Sequence, residues 1–352
     1  FNSNEFILIN NFRSAPELVR IQNVFSQTIS ENTLTVNPAG IWVETDGVCE
    51  VWVSENHIKE GEIIAHSIQQ WMEEDKLSPK DFCIIVKQQE HIYSKAIVES
   101  LDKLGINSRL EKEYQDLLAD DCIAVIISII ELSFLRKNPN LWLSTLEWFI
   151  NIKGRTSESR DGSILNNLES SLTVLTQRVR EKLESVDEEN CEHILKEICE
   201  DILEFINLED LKASFPKYKQ SGLLTRNIKS FNEKMAMAYK KHFNWINAIY
   251  DFNGEFSIPI MTIHKSKGLE YDTVLFVGLE DGAFWSFKSQ AESDKKAFFV
   301  ALSRAKKRII FTFSKSREVL NYGNLTTKEQ SLRDISEVYR ILQSAEVPIK
   351  TF

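Results

Sequence analysis

Three clusters of side chains in this sequence have the types and spacing to handle a phosphorylated ligand. The fullest is MTIHKSKGLEYDTVLFVGLEDGAFW, Met261 to Trp285. Thr262, His264, Lys265 and Lys267 supply donors suited to phosphate oxygens, Gly268 permits a left-handed or tight turn, and Glu270 can accept from a ribose hydroxyl. The same residues would also serve as a plain connector, its lysines in solvent and His264 satisfied in the core. The second cluster is NNFRS, where Phe12 adjoins Arg13. Either the ring stacks on a base and the guanidinium forks onto phosphate oxygens, or Phe12 packs in the core and Arg13 lies in solvent. The third is FFVALSRAKK, read as helix. On a helix Arg304 shares its face with Ala301, Val300 and Ala297, so it either snorkels or reaches across an interface to a phosphate. Lys306 to Arg308 read as a solvated helix end.

These groups need elements to hold them, and the chain supplies strand and helix signals in alternation. EFILIN (Glu5 to Asn10) is a short apolar run before SAPELVRIQNVFSQTI, whose Leu18, Ile21, Phe25 and Ile29 recur at helical spacing. Ser14 stands three before Glu17, the capping-box spacing, with Pro16 in the first turn. CEVWVSE, DFCIIVK, IPIMTIH, TVLFVGLE and RIIFTFS read as strands, while EGEIIAHSIQQWMEE, IYSKAIVESLDKLG and DKKAFFVALSRAKKR read as helices. Continuous apolar strands such as Phe82 to Val86 suit a parallel sheet covered on both faces. In such sheets ligands gather on loops at the carboxyl ends of the strands, and the three clusters are expected there.

Between about Tyr114 and Tyr250 the strand signals stop and long amphipathic stretches take over. CIAVIISIIELSFL reads as a buried helix, too short and too interrupted to span a bilayer, and KGRTSESRDGS (Lys153 to Ser163) as an exposed loop. KLESVDEENCEHILKEICEDILEFI reads as an acidic-faced helix pair. The expected organisation is therefore a sheet domain over 1–113 and 251–352, interrupted by a helical insertion over 114–250.

At 352 residues the chain is long enough for two cores, and its 43% hydrophobic and 27% charged residues fit a globular protein. Lys and Arg number 42 against 52 Asp and Glu; a net charge of −10 excludes a surface that is basic throughout but not a local basic groove. Five scattered cysteines without a C-x-x-C pair support neither a disulfide framework nor a zinc site, and no metal site is expected; a reducing cytoplasm fits. The start at Phe1, with neither an initiating methionine nor a signal segment, suggests a piece of a longer protein. The sequence has no G-x-x-x-x-G-K-[ST] phosphate loop, so nucleotide binding would require a phosphate cradle and magnesium site from another domain.

In order and spacing the segments resemble the C-terminal half of UvrD/Rep-type superfamily 1 DNA helicases. INNFRSAPELV resembles the family's motif IV, MTIHKSKGLEYDTVLFVGLEDGAFW its motif V, and FFVALSRAKKRII its motif VI. Phe12 stands where the family usually has tyrosine, and SDKKA where it often has an E-E-R-R-L run. The resemblance implies a RecA-like parallel-sheet domain 2A interrupted by an all-helical insertion 2B, with the phosphate loop and the magnesium-binding acids on a domain 1A outside this chain. It implies an ATP-dependent 3′ to 5′ DNA helicase or translocase of DNA repair or recombination, with ATP and Mg2+ as cofactors, single-stranded DNA and duplex junctions as ligands, and repair proteins as partners. This chain alone would be inactive. By motif position Phe12 would stack on adenine, Arg13 and Arg304 would point at the γ-phosphate as catalytic groups, and Gly268 and Glu270 would shape and bind the nucleotide side of the loop. Thr262, His264 and Lys265 would face DNA. Two alternatives are a helicase-derived DNA-binding or scaffold module without hydrolysis, and the motor part of a helicase-nuclease.

Overall fold

The computed structural model describes residues 9–30, 33–135, 138–153, 162–220, 222–321 and 324–352. The chain forms two compact units, one running to Lys112 and resuming at Phe256, the other covering Glu113–Glu255. In the first, the strands are β1 (Asn10–Asn11), β2 (Asn37–Pro38), β3 (Val48–Ser54), β4 (Phe82–Val86), β5 (Ser108–Leu110), β6 (Ile258–Thr262), β7 (Tyr271–Val277), β8 (Ala305–Ser314), β9 (Ser316–Asn321), β10 (Asn324–Glu329) and β11 (Ile349–Thr351). Seven of them make one sheet in the order β11-β3-β8-β7-β4-β6-β5, with every pairing parallel. The unit is α/β, as the apolar runs predict: every residue of β4 is buried, because helices cover both faces.

Alternation along β8 shows the two layers. Arg308 lies with its guanidinium over the Trp71 ring of the helix His57–Glu74, whereas Phe311 stacks on Phe298 of the helix Phe287–Leu302. Residues an odd number apart on a strand point to opposite faces, so these helices lie on opposite sides of the sheet. On the first side Gly61 brings the helix His57–Glu74 against Lys95–Lys103 so closely that a Cβ there would sit 2.6 Å from the Ala96 carbonyl oxygen. On the second side the helix Pro16–Ile29 joins Phe287–Leu302 through Phe25 and Phe298, ring centroids 4.7 Å apart.

The helical unit has its own core. The helix Asp121–Phe134 buries most of its surface there, including Ile123, Ile126, Ile129 and Ile130. Its buried start is satisfied by Asp120, whose carboxylate accepts the Cys122 and Ile123 N–H groups, the Tyr218 hydroxyl and the Asn227 amide. The stretch read as an acidic helix pair holds one helix, Cys191–Ile206, and the last three residues of another, Gly162–Glu184, joined by a loop at 185–190. All five cysteines are buried free thiols. No helix among the described residues is long and apolar enough to cross a membrane.

Two local expectations differ, and two others lie largely outside the described residues. Of EFILIN only Ile9 and Asn10 lie within the described residues; Asn10–Asn11 pairs with Asn37–Pro38 in a ladder apart from the main sheet. The Lys153–Ser163 loop lies mostly outside the described residues. Ser14 makes no capping box: Ala15 is the N-cap, and the Ser14 hydroxyl donates instead to the Ala305 carbonyl at 2.9 Å. The motif helix stops at Leu302, so Arg304 sits in the turn before β8, and Lys306, Lys307 and Arg308 are strand residues.

Candidate functional site

Arg13, Glu270 and Arg304 come together although they are far apart in sequence. The Asn11 side chain starts the arrangement by accepting the Arg13 and Ser14 N–H groups at 2.9 and 3.0 Å. Ala15 N–H then donates to Lys306 O at 2.8 Å, which pins this turn to the first residues of β8. Arg13 Nε consequently reaches Glu270 Oε2 at 2.6 Å, and its Nη1 donates to Ser303 O at 3.1 Å. On the other side, Glu270 Oε1 is 2.9 Å from Lys306 Nζ. Hydrogen bonds from Lys306 and then Arg13 hold the Glu270 carboxyl below its usual range, so it is an anion at neutral pH.

Arg304 braces the same corner. Its Nε donates to Val300 O at 3.0 Å, Nη1 to Leu269 O at 3.0 Å and Nη2 to Ser303 Oγ at 2.9 Å. A guanidinium has five N–H donors, so this half-buried group retains capacity for an incoming anion. Burial, and then the positive charge of Arg13, lower its pKa; an anion would relieve the second effect. Phe12 is 70% exposed and available for stacking, not part of the core. Gly268 takes φ +84° with open space around it, so the backbone conformation, and no crowding, selects glycine there.

This cluster sits at the amino ends of β7 and β8, which corrects the expectation that all three clusters would lie at carboxyl ends: Glu270 immediately precedes Tyr271, and Arg304 precedes Ala305. Thr262, His264 and Lys265 occupy the opposite edge. Thr262 ends β6 and is in register with Val86, which is in register with Val277. The row Thr262, Val86, Val277 therefore marks the carboxyl edge, and Tyr271 lies six residues back along β7, about 20 Å away at the usual rise per residue. The stretch from Ile263 to Glu270 crosses that whole distance. It begins as a short 3-10 turn, Ile263–Ser266, with Ile263 and Ser266 buried and His264 exposed. One short segment thus joins a group of phosphate-type donors at one edge to a carboxylate and two arginines at the other.

Sequence reasoning missed the supports of the carboxyl edge. Arg317 is buried between Glu60 and Glu280, donating to both Glu60 oxygens at 2.8 and 2.7 Å and to Glu280 at 2.6 Å. Asp281 accepts backbone N–H groups of Arg333, Asp334 and Ile335. Lys87, just past β4, pairs with the buried Asp294. These residues look like ordinary surface charges in the sequence, and only the chain crossings bring them together. Among the described residues no group of three or more His, Cys, Asp or Glu side chains is placed to hold a metal ion.

A family profile described as "UvrD-like helicase C-terminal domain" matches residues 6–221 and 164–316. The chain is 22% identical over 388 aligned residues to the ATP-dependent DNA helicase PcrA of Bacillus subtilis strain 168, covering 96% of this chain and 50% of that protein. It is 29% identical over 136 residues to a probable DNA helicase II homolog of Rickettsia conorii, 36% of this chain and 21% of that one. It is 37% identical over 79 residues to the ATP-dependent DNA helicase Rep of Escherichia coli K12, 21% of this chain and 11% of that one. The chain spans about half the length, or less, of these curated relatives.

Proposed function

This chain belongs to the family of UvrD-like helicase C-terminal domains, and we propose that it is the C-terminal motor half of a cytoplasmic ATP-dependent 3′ to 5′ DNA helicase or translocase acting in repair or recombination. The sheet unit is domain 2A and the helical unit domain 2B; a domain 1A supplies the phosphate loop and the magnesium ligands. The observation that carries the reading is the meeting of Arg13, Glu270 and Arg304 at the amino edge of β7 and β8. Glu270 binds the ribose hydroxyls, Phe12 stacks on adenine, and the two guanidinium groups offset charge on the γ-phosphate as it transfers.

The ion pair gives the site an order of events. Arg13 Nε donates to Glu270 Oε2. A ribose hydroxyl donating to Glu270 competes for that carboxylate and frees Arg13 Nε for phosphate. Glu270 then moves with the segment that ends in His264 and Thr262, where DNA phosphates bind, so nucleotide state and DNA grip change together. The ligands for magnesium would come from domain 1A, and the ion would supply further charge neutralisation at the phosphates.

The test uses this chain joined to its phosphate-loop domain. Thr262→Ala with His264→Ala should raise the single-stranded DNA concentration for half-maximal ATPase stimulation by about tenfold, with turnover at saturation retained, and binding should weaken steeply with salt. An unchanged half-maximal concentration, or salt-insensitive binding, would remove DNA from this edge.

A further inference from the structure

Of the seven tryptophans only Trp285 is exposed, at 72% of its surface, and its loop is not loose. Ala283, Phe284 and Phe287 around it are buried. Glu280 and Asp281 anchor the start of the loop in the Arg317 pair and on the backbone at 333–335. Gln88 Nε2 donates to Ala283 O at 3.2 Å, and the Lys87 ammonium lies 5.3 Å from the centroid of the Phe284 ring. A large flat ring is thus held out into solvent by a fixed support.

Its position identifies what it would meet. The loop follows β7 at the edge marked by Val277, Val86 and Thr262, and it leads into the helix Phe287–Leu302, which packs against Ile263–Ser266. Trp285 therefore shares an edge with the exposed His264 and with Lys265, the donors assigned to DNA phosphates. An exposed ring beside a phosphate-binding track is the arrangement that holds an unpaired base by stacking, without regard to its identity.

We infer that Trp285 is a stacking platform for one base of the single strand bound along the carboxyl edge. The inference rests on the DNA reading above and adds to it a contact with a base, where Thr262, His264 and Lys265 contact the backbone.

The test compares wild type, Trp285→Phe and Trp285→Ala in the full chain, using a fluorophore-labelled oligothymidylate and an abasic strand of equal length at one salt concentration. Anisotropy reports binding and intrinsic fluorescence reports the ring. Wild type should lose fluorescence on binding oligothymidylate, whereas Trp285→Phe should bind within a few-fold and lose the quench. Trp285→Ala should bind about tenfold or more weakly and no longer distinguish the abasic strand. Equal affinity of wild type and Trp285→Ala, or base discrimination that persists without the ring, would overturn the inference while leaving DNA binding intact. Self-association of the wild type that is lost in Trp285→Ala would reassign the ring to a contact between copies and overturn it as well. If the strand binds none of the proteins even at low salt, the DNA reading itself fails, and the inference with it.

Discussion

Arg317→Met should be among the most damaging single changes in the sheet unit. The guanidinium is only 2% exposed and carries two carboxylates, Glu60 and Glu280, which are themselves 2% and 0% exposed. It also lies over the Tyr93 ring at 4.8 Å. Methionine fills much of the volume but leaves both carboxylates without their cation. Removing one partner of a buried ion pair costs roughly 3–5 kcal/mol, so about 4 kcal/mol is expected near pH 8. With a urea dependence of about 2 kcal/mol/M, the midpoint should fall by about 2 M. The loss should shrink on acidification: burial pushes the Glu280 carboxyl up to about 7 even beside Arg317, so a proton can replace the missing cation below that pH. Urea titrations of wild type and Arg317→Met at pH 5.5 and pH 8 measure both effects. A midpoint shift under about 0.5 M at pH 8, or an equal shift at both pH values, would refute the assignment of Arg317 as the neutralising group of this corner.

Glu280 gives a pH dependence of its own. Its folded-state pKa lies above its unfolded value, so the contribution is fully present below the unfolded pKa near 4.5 and is lost as pH rises through about 7, up to about 3 kcal/mol; Glu280→Gln should flatten that slope in urea titrations. Gly61→Ala should lower the melting temperature by several degrees, although the same change in an unobstructed helix adds about 1 kcal/mol of stability, because the new Cβ meets the Ala96 backbone; an increase would show that the two helices part freely. Glu270→Gln should change stability by less than about 1 kcal/mol, since its pair with Arg13 is half exposed, while weakening ATP binding about tenfold through the lost charged acceptor; a large drop in melting temperature would mark Glu270 as structural.

Much of the fold was legible because the central strands β3, β4, β6, β7 and β8 had a reason to be apolar. Phe82 to Val86 is buried on both faces and reads as an unbroken run, and the helical unit shows its amphipathic spacing for more than a hundred residues. Strand order is a different kind of information. β8 lies between β3 and β7, and that adjacency, set by packing across the whole sheet, brings Arg304 and Glu270 together at the amino ends of neighbouring strands. Local competition explains the remaining differences. Ser14 has the spacing of a cap, but the nearer partner is the Ala305 carbonyl, and the Ser303 hydroxyl turns back to Val300 O where a longer helix was expected. Arg317, Glu60 and Glu280 look like three unrelated surface charges until 257 residues of separation are closed.

The most direct test of the central claim is single-stranded DNA-stimulated ATP hydrolysis by this chain joined to its phosphate-loop domain, wild type against Arg304→Ala at saturating DNA. Turnover is predicted to fall about a thousandfold or more, with nucleotide and DNA affinities within a few-fold of wild type. Unchanged turnover would mean that Arg304 only ties Val300 to Leu269, and that the amino edge of β7 and β8 does not face ATP.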